Sequence, residues 1–225
     1  MPSTMQAISA LAMMAIPSVN AAFGPYFSTG PVASNSFIRE STSTLVLPRV
    51  PSGNSGDASL WVGMGTSKGD LIQSIVDNQD SSSWSIFAYT LLSADNDNAV
   101  AVFGDIYSTP IPGDKVTMHY KFDDSTGNYT QRVYVNNKFV STLSTSDGQA
   151  QGWGSAVECA ENDCGTIPAH TWINTTIIMD TEDPNYINTM GKSEGVTGEM
   201  STSDNGKTWT VSTISIPEFT FGSSS

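Results

Sequence analysis

Gln73 and Tyr89 are the two polar side chains whose sequence surroundings could support chemistry. Gln73 lies within Leu-Ile-Gln-Ser and Tyr89 within Phe-Ala-Tyr-Thr-Leu, both largely apolar segments. A carboxamide both donates and accepts hydrogen bonds, and a phenol can donate one to a ligand carbonyl. We therefore take Gln73 and Tyr89 as candidate catalytic residues. The alternatives stay open: Gln73 as a cross-strand hydrogen-bonding residue, and Tyr89 as a buried phenol bonded to backbone.

Apolar side chains near these two residues could form the wall of a pocket. Side chains alternate along a strand, so Phe87, Tyr89 and Leu91 are expected on one face. Trp61, within Leu-Trp-Val-Gly-Met-Gly, is expected beside the Gln73 strand. The ordinary role of Trp61 and Phe87 would be core packing. If they line a site, it is a dry one that suits an apolar organic ligand held by a few polar groups.

The segment from about residue 44 to residue 180 resembles the fungal glutamic peptidases, or eqolisins. The resemblance rests on Val-Pro-Ser-Gly at 50–53, Trp-Val-Gly at 61–63, the strand around Gln73 and the Pro-Gly-Asp turn at 112–114. It implies a secreted β-sandwich whose catalytic pair is one Gln and one Glu. Aligning the family's Ala-Glu-aromatic-Ile pattern on Trp172 and the following Ile puts Thr171 at the Glu position. A Thr cannot supply the carboxyl group that acid/base attack of water requires, so the resemblance implies the scaffold without its hydrolytic acid.

Strand alternation around Thr171 predicts which side chains share its face. Thr171, Ile173, Thr175 and Ile177 should point one way, and Asn174 the other. Because a glycan on Asn174 would need solvent, Thr171 and Ile173 are predicted to face the cleft and to bind substrate. The side chains of Gln73, Tyr89 and Thr171 should then converge on one concave face.

The fold predicted from the whole pattern is all-β: an antiparallel β-sandwich of the concanavalin A-like jelly-roll type. Short strands separated by turn signals recur along the chain, with almost no helical period. The expected organisation is a signal peptide at 1–21, an irregular segment at 22–36 and a single sandwich domain at 37–222. The apolar run before Pro17 and the small residues ending at Ala21 favour cleavage after Ala21.

The composition indicates which cellular compartment and which classes of binding partner are expected. The formal charge is −13, so the field would repel a phosphate backbone and no nucleic-acid partner is expected. No stretch after the signal peptide approaches a membrane span. Cys159 and Cys164 could close a small loop in an oxidising compartment or remain free thiols. With two histidines, His119 and His170, both expected at the surface or an edge, no metal site is predicted. N-glycosylation is predicted in the two sequons that begin at Asn128 and Asn174.

Three functions are compatible with these features. In overall profile the chain resembles the secreted hetero-Diels-Alderases of fungal tropolonic sesquiterpenoid pathways, which implies a cofactor-independent cyclase acting on apolar small molecules. The second reading is a secreted ligand- or carbohydrate-binding β-sandwich. The third keeps eqolisin-like acid endopeptidase activity through a substitute carboxylate from Glu158, Glu161 or Glu182. Self-association into a homo-oligomer is left open by all three.

Overall fold

The computed structural model describes residues 22–93, 99–160 and 163–222. The predicted signal peptide at 1–21 lies outside these residues. Sixteen strands are present in the described part of the chain, with a 3₁₀ turn at Tyr186–Thr189 between the twelfth and thirteenth. The strands are β1 (Ala22–Thr29), β2 (Ile38–Val46), β3 (Asp57–Thr66), β4 (Leu71–Gln79), β5 (Ser85–Leu92), β6 (Val100–Phe103), β7 (Lys115–Asp123), β8 (Asn128–Val135), β9 (Lys138–Thr145), β10 (Ala150–Cys159), β11 (Thr166–Ile167), β12 (His170–Met179), β13 (Gly191–Lys192), β14 (Met200–Ser201), β15 (Thr208–Ile216) and β16 (Phe219–Thr220).

Fourteen of these strands form two packed antiparallel sheets, which confirms the predicted β-sandwich. The first sheet has the order β13-β1-β10-β3-β4-β5-β6, and the second has the order β14-β15-β12-β2-β7-β8-β9. One backbone pairing, Ala150 with Ile38, joins them at a corner. Strands β11 and β16 form a separate small ladder.

The main core fills the space between the two sheets. Leu60 and Val62 of β3 meet Leu45 of β2 and Trp172 of β12 in one continuous apolar cluster. Because side chains alternate along a strand, the residues next to these in sequence point to the outer faces of the two sheets. On the first sheet, Trp61 belongs to a second, smaller cluster that is separate from the main core. The outer face of the first sheet is therefore itself partly apolar.

Among the longer strands, β1 and β10 were not predicted, and their sequences give the reasons. Residues 22–29 were expected to be irregular but form β1, where Gly24 and Pro25 sit at a register irregularity between Phe23 and Tyr26. The glycine-rich β10, with Gly152 and Gly154, lacks the apolar periodicity by which strands are recognised. Both strands belong to the first sheet.

A β-bulge in β12 overturns the predicted alternation around Thr171. The pairing with β2 shifts between Ile173 and Thr176, and Asn174 has a positive φ of 55°. One extra residue reverses the facing of everything beyond it. Trp172 before the bulge and Ile177 after it are both buried in the core. Thr171 and Ile173 consequently lie on the outer face, and the prediction that Thr171, Ile173, Thr175 and Ile177 share one face is wrong.

The predicted disulfide is confirmed. Cys159 at the end of β10 is bonded to Cys164, with a Cα–Cα distance of 5.8 Å. Both residues are buried against the main core. A buried disulfide fits a protein that folds in an oxidising compartment.

Candidate functional site

The outer face of the first sheet is organised in rows that run across the strands. Because residues paired in register share a face, the pairings of β1, β10, β3, β4 and β5 define which side chains line up. Three adjacent rows differ in chemistry, and a fourth continues the glycine-rich part. In order, the rows are Phe23, Glu158, Ser59, Asp77 and Ser85; Tyr26, Ala156, Trp61, Ile75 and Phe87; Ser28, Gly154, Gly63, Gln73 and Tyr89; and Gly152, Gly65, Leu71 and Leu91.

The second row makes a continuous apolar band. Trp61 is 1% exposed although it points away from the main core. Ring contacts extend the band: the centroid of Phe87 lies 6.3 Å from that of Tyr89 and 6.1 Å from that of Phe103 on β6. Such spacings are typical of favourable tilted and edge-to-face aromatic pairs. The band gives the face a surface on which a flat or polyene ligand can pack.

Four glycines from β10 and β3 form a floor beside this band. Gly154 pairs with Gly63, and Gly152 pairs with Gly65. A Cβ on Gly65 would meet no heavy atom within 4 Å, so this part of the floor is open. A Cβ on Gly63 would come within 2.9 Å of the Gln73 Cβ and within 2.6 Å of a backbone oxygen. Gly63 is thus required by the packing of Gln73, whereas Gly65 leaves room for a ligand.

Gln73 is the polar group at the centre of this arrangement. Its side chain is 5% exposed, and no described residue donates a hydrogen bond to its buried Oε1. An unsatisfied buried amide oxygen costs about 1–3 kcal/mol. A ligand that brings a donor to this oxygen would remove that cost. Rotating the amide would instead present its N–H groups, so Gln73 can either accept from or donate to a ligand.

A polar network inside the sandwich holds the backbone on both sides of Gln73. The Tyr120 phenol, from β7 in the second sheet, donates to the Val62 carbonyl at 2.6 Å and accepts from the Ser74 amide at 2.7 Å. Gln131 of β8 donates through Nε2 to the Tyr89 carbonyl at 2.7 Å. Tyr120, Ser74 and Gln131 are fully buried. Fully satisfied buried networks fix a unique arrangement, so the second sheet positions the two candidate catalytic residues.

The first row carries two carboxyl groups, those of Glu158 and Asp77, at one end of the face. Ser59 Oγ donates to Asp77 Oδ1 at 3.0 Å, and the Trp61 indole donates to Glu158 Oε2 at 2.8 Å. Burial, together with the neighbouring Asp57 carboxyl, raises the pKa of Asp77 to about 8. Burial also raises the pKa of Glu158, although the Trp61 bond opposes this. Asp77 therefore holds its proton to a higher pH than an exposed Asp does.

The structure brings together five of the predicted site residues and separates the other two. Trp61, Gln73, Phe87, Tyr89 and Leu91 all lie on the outer face of the first sheet. Their relative placement is as predicted.

Thr171 and Ile173 lie on the opposite side of the molecule. Both are in β12 of the second sheet and point outward, so the predicted convergence of Thr171 with Gln73 and Tyr89 is wrong. The in-register position two strands from Gln73 is Gly154 of β10, not Thr171. The cause is the alignment on β12, since β10 was not recognised as a strand.

Sequence reasoning missed the glycine floor, the Tyr26 end of the apolar band and the acidic row. The available signal was the repeated Gly-x-Gly, at 152–154 and again at 63–65. Two such repeats on paired strands leave a bare patch of backbone. Neither repeat indicates by itself that the two strands are neighbours.

Comparison with solved structures places this fold beside the glutamic peptidases. Scytalido-glutamic peptidase with a peptide-based transition state analog matches at a TM-score of 0.52 and 14% identity, covering 87% of this chain and 99% of that one. The same peptidase with a transition state analog inhibitor matches at 0.53 and 15%, with the same coverages. A glycoside hydrolase family 16 endo-glucanase from Bacteroides ovatus matches at 0.42 and 12%, covering 62% and 72%. No family model and no curated protein matches the sequence. The fold thus resembles that of the eqolisins, as the sequence motifs implied.

No helix within the described residues is long and apolar enough to cross a membrane. Within the same residues, no group of three or more His, Cys, Asp or Glu side chains is arranged to hold a metal ion. His170 was expected at the surface, but it is buried at the start of β12, where its Nδ1 donates to the Pro168 carbonyl at 3.0 Å.

Proposed function

We propose that this protein is a secreted, glycosylated, cofactor-independent cyclase of fungal secondary metabolism. Its reaction would be the intermolecular hetero-Diels-Alder cycloaddition of a tropolone quinone methide with a humulene-type sesquiterpene. The observation that carries the proposal is the buried Gln73 amide, with its oxygen unpaired, set between an aromatic band and a glycine floor. The profile resemblance to such enzymes supplies the reaction class.

The chemistry of a cycloaddition fits the composition of this face. One C–O and one C–C bond form while the π bonds of the two partners shift, and no proton, hydride or leaving group is transferred. The protein then needs to hold two apolar partners in a reactive pose, which by itself can supply several kcal/mol. Trp61 and Phe87 would offer the packing surface, and the open floor at Gly65 would give the second partner space.

Electrostatic assistance would come from Gln73 and Tyr89. Electron density moves onto the quinone methide oxygen as the alkene bonds to the methide carbon, before the C–O bond is complete, so a donor placed at that carbonyl system stabilises the transition state. A carboxamide offers a donor and an acceptor side by side. A tropolone ring carries a carbonyl and a hydroxyl side by side, which is the complementary pattern.

Peptide hydrolysis is less well supported by the same face. The row through Gln73 carries no carboxyl group, since Gly63 and Gly154 are the two residues next to Gln73 in that direction. Glu158, the candidate substitute on this face, is four residues further along and two strands away. Strand geometry makes that roughly 13 Å along the strands and about 10 Å across them. A carboxyl at that distance cannot share one water molecule with Gln73.

The test is a cycloaddition assay with the secreted, glycosylated protein. A chemically generated quinone methide and a humulene-type alkene are mixed with and without protein, and product ratio and enantiomeric excess are measured. We expect one enantiomer in excess and a modest rate gain. Racemic product at the uncatalysed rate contradicts the proposal and leaves a binding module as the better reading. Cleavage of denatured casein between pH 2 and 7 would instead support the peptidase hypothesis.

A further inference from the structure

A shallow polar depression lies on the outer face of the second sheet, on the side of the molecule away from Gln73. Its volume is about 300 Å³. The lining comes from β12, β14, β15 and the segment before β14, and most of it consists of hydroxyl and carboxylate side chains. The lining residues are Asn174, Thr175, Thr176, Glu199, Ser201, Thr210, Val211 and Ser212. A surface of this composition suits a polar, hydroxylated occupant rather than an apolar one.

Asn174 sits at the rim of this depression in an unusual backbone conformation. Its φ is +55°, it occupies the bulge in β12, and its side chain is exposed. Asn is among the few residues other than Gly that tolerate this region. The bulge takes Asn174 out of the regular alternation, so that its amide stands free of the sheet.

The same residue begins an acceptor sequence for N-glycosylation. Asn174, Thr175 and Thr176 form the Asn-x-Thr triplet. Thr175, the middle residue, points inward and shares a hydrogen bond of 2.7 Å with Ser43. Asn174 and Thr176 both line the depression. The buried disulfide between Cys159 and Cys164 fits passage through the compartment where such glycans are attached.

We propose that Asn174 carries an N-linked glycan whose first N-acetylglucosamine lies in this depression and stabilises the sheet beneath it. The sugar hydroxyls and acetamido group would hydrogen-bond to hydroxyls such as those of Ser201 and Thr210, which already bond each other at 3.1 Å. The glycan lies on the sheet opposite the candidate site, so it leaves the Gln73 face open. The proposal does not rest on the proposed function.

Mass spectrometry of the protein from a eukaryotic secretory host tests occupancy. We expect wild-type peptide 171–179 to carry a glycan and Asn174→Gly to lose it. Glycine accepts a positive φ, so this variant keeps the bulge while removing the attachment point. Thr176→Ser should retain the glycan and Thr176→Val should lose it. Asn128→Gln serves as a matched control that leaves modification at 174 intact. An unmodified Asn174 in the wild-type protein overturns the proposal.

Thermal unfolding tests the docking of the sugar. An endoglycosidase that leaves one N-acetylglucosamine on Asn174 should leave Tm unchanged. Asn174→Gly, or complete enzymatic removal from the folded protein, should lower Tm by about 3 °C, which is the shift expected for the loss of one favourable contact set in a chain of this size. Thr210→Val removes the bonds to Ser201 in either background, so it should lower Tm more in the glycosylated protein than in the Asn174→Gly background. Equal Tm values with and without the sugar would show that the glycan does not dock here.

Discussion

Gly154 lies directly across β3 from Gln73, with Gly63 between them in one register row. The fold resembles that of the glutamic peptidases. In this row Gly63 and Gly154 leave the space beside Gln73 without side chains, and no residue of the row carries a carboxyl group. That space, bordered by Trp61 and Tyr89, is where a ligand can approach the amide.

Variants of Tyr89 and Gly65 should distinguish the contribution of a hydrogen-bond donor to the cycloaddition from that of the open space that accommodates the second partner. Tyr89→Phe removes one donor from the face, and a neutral cycloaddition should depend on it less than the roughly hundredfold to thousandfold loss seen at strong oxyanion sites. We expect a reduced rate with turnover retained. Gly65→Leu fills the open floor and should abolish stereoselectivity by excluding one partner. Thr171→Val, on the opposite outer face, is the control and should match wild type in enantiomeric excess. A loss in the Thr171 variant equal to that in Gly65→Leu would place the site elsewhere.

The two glycines of β3 should differ sharply in their tolerance of a methyl group. Gly63→Ala would push a Cβ against the Ile72 carbonyl oxygen and the Gln73 Cβ, and overpacking of this kind costs about 1–3 kcal/mol. Gly65→Ala adds a Cβ to open space and should change stability little. Urea denaturation of both variants gives the comparison. Equal destabilisation would show that the strand, rather than the contact with Gln73, sets the requirement.

Removing the Tyr120 hydroxyl should weaken the fold near Gln73. Tyr120→Phe leaves the Ser74 N–H and the Val62 carbonyl without their buried partner, at about 1–3 kcal/mol. Tyr134→Phe, at a half-buried position on the neighbouring strand β8, is the matched control and should cost less. Denaturant unfolding measures both. A direct Ser74–Val62 bond that re-forms in the variant would make the two costs equal.

Asp77 should make the protein less stable as pH rises. The pKa of Asp77 is raised by burial and by Asp57 from 3.8 to about 8. Its contribution is complete below the unfolded pKa and is lost as pH rises through the folded value, so the Asp77 contribution to the free energy of unfolding should fall between about pH 4 and pH 8, opposing that of His170 in the lower part of this range. Asp77→Asn keeps the shape without the charge, so the difference in free energy of unfolding between wild type and this variant should shift against the wild type as pH rises. A variant with an unchanged pH profile would show that Asp77 is not the titrating group.

His170 should have the opposite effect on the acid side. Burial lowers the pKa of His170 from 6.5 to about 4, although the hydrogen bond to the Pro168 carbonyl acts in the opposite direction and raises it. The stability it contributes is present above pH 6.5 and is lost as pH falls towards 4, by about 3 kcal/mol. His170→Gln should be less sensitive to acid over this range than wild type. Tm profiles of the two proteins from pH 4 to 7 provide the measurement, and parallel curves would contradict the assignment.

The sequence predicted the part of the site in which strands alternate without interruption. Trp61, Gln73 and Tyr89 lie on three successive strands, each of which keeps its period of two through the site. Cross-strand alignment of such strands follows from their hydrophobic pattern. The shared face of these residues was for that reason accessible from residue types alone.

The position of Thr171 was predicted wrongly because the amino-acid sequence does not reveal two backbone features, the bulge in β12 and the strand β10. The bulge at Asn174 reversed the facing of β12, and a single Asn is as common in a turn as in a bulge. The glycines of β10 hid the strand that stands beside β3. Pairing between strands so distant in the chain depends on the whole sandwich, which a local pattern does not contain.

The phenol of Tyr120 ties the hydrogen-exchange behaviour of one sheet to the other. The Ser74 amide is bonded to a side chain that reaches across the core, so fraying of β4 alone cannot expose it to water. Its exchange requires the two sheets to separate, or Tyr120 to leave the core, and should follow the global unfolding free energy. Ser74 is next to Gln73 in the chain. A ligand that binds at Gln73 in the folded protein should therefore slow exchange of the Ser74 amide, together with every other amide that exchanges only on global unfolding, by a factor of one plus the ratio of free ligand concentration to Kd. The amide thus reports ligand binding even when no reaction occurs.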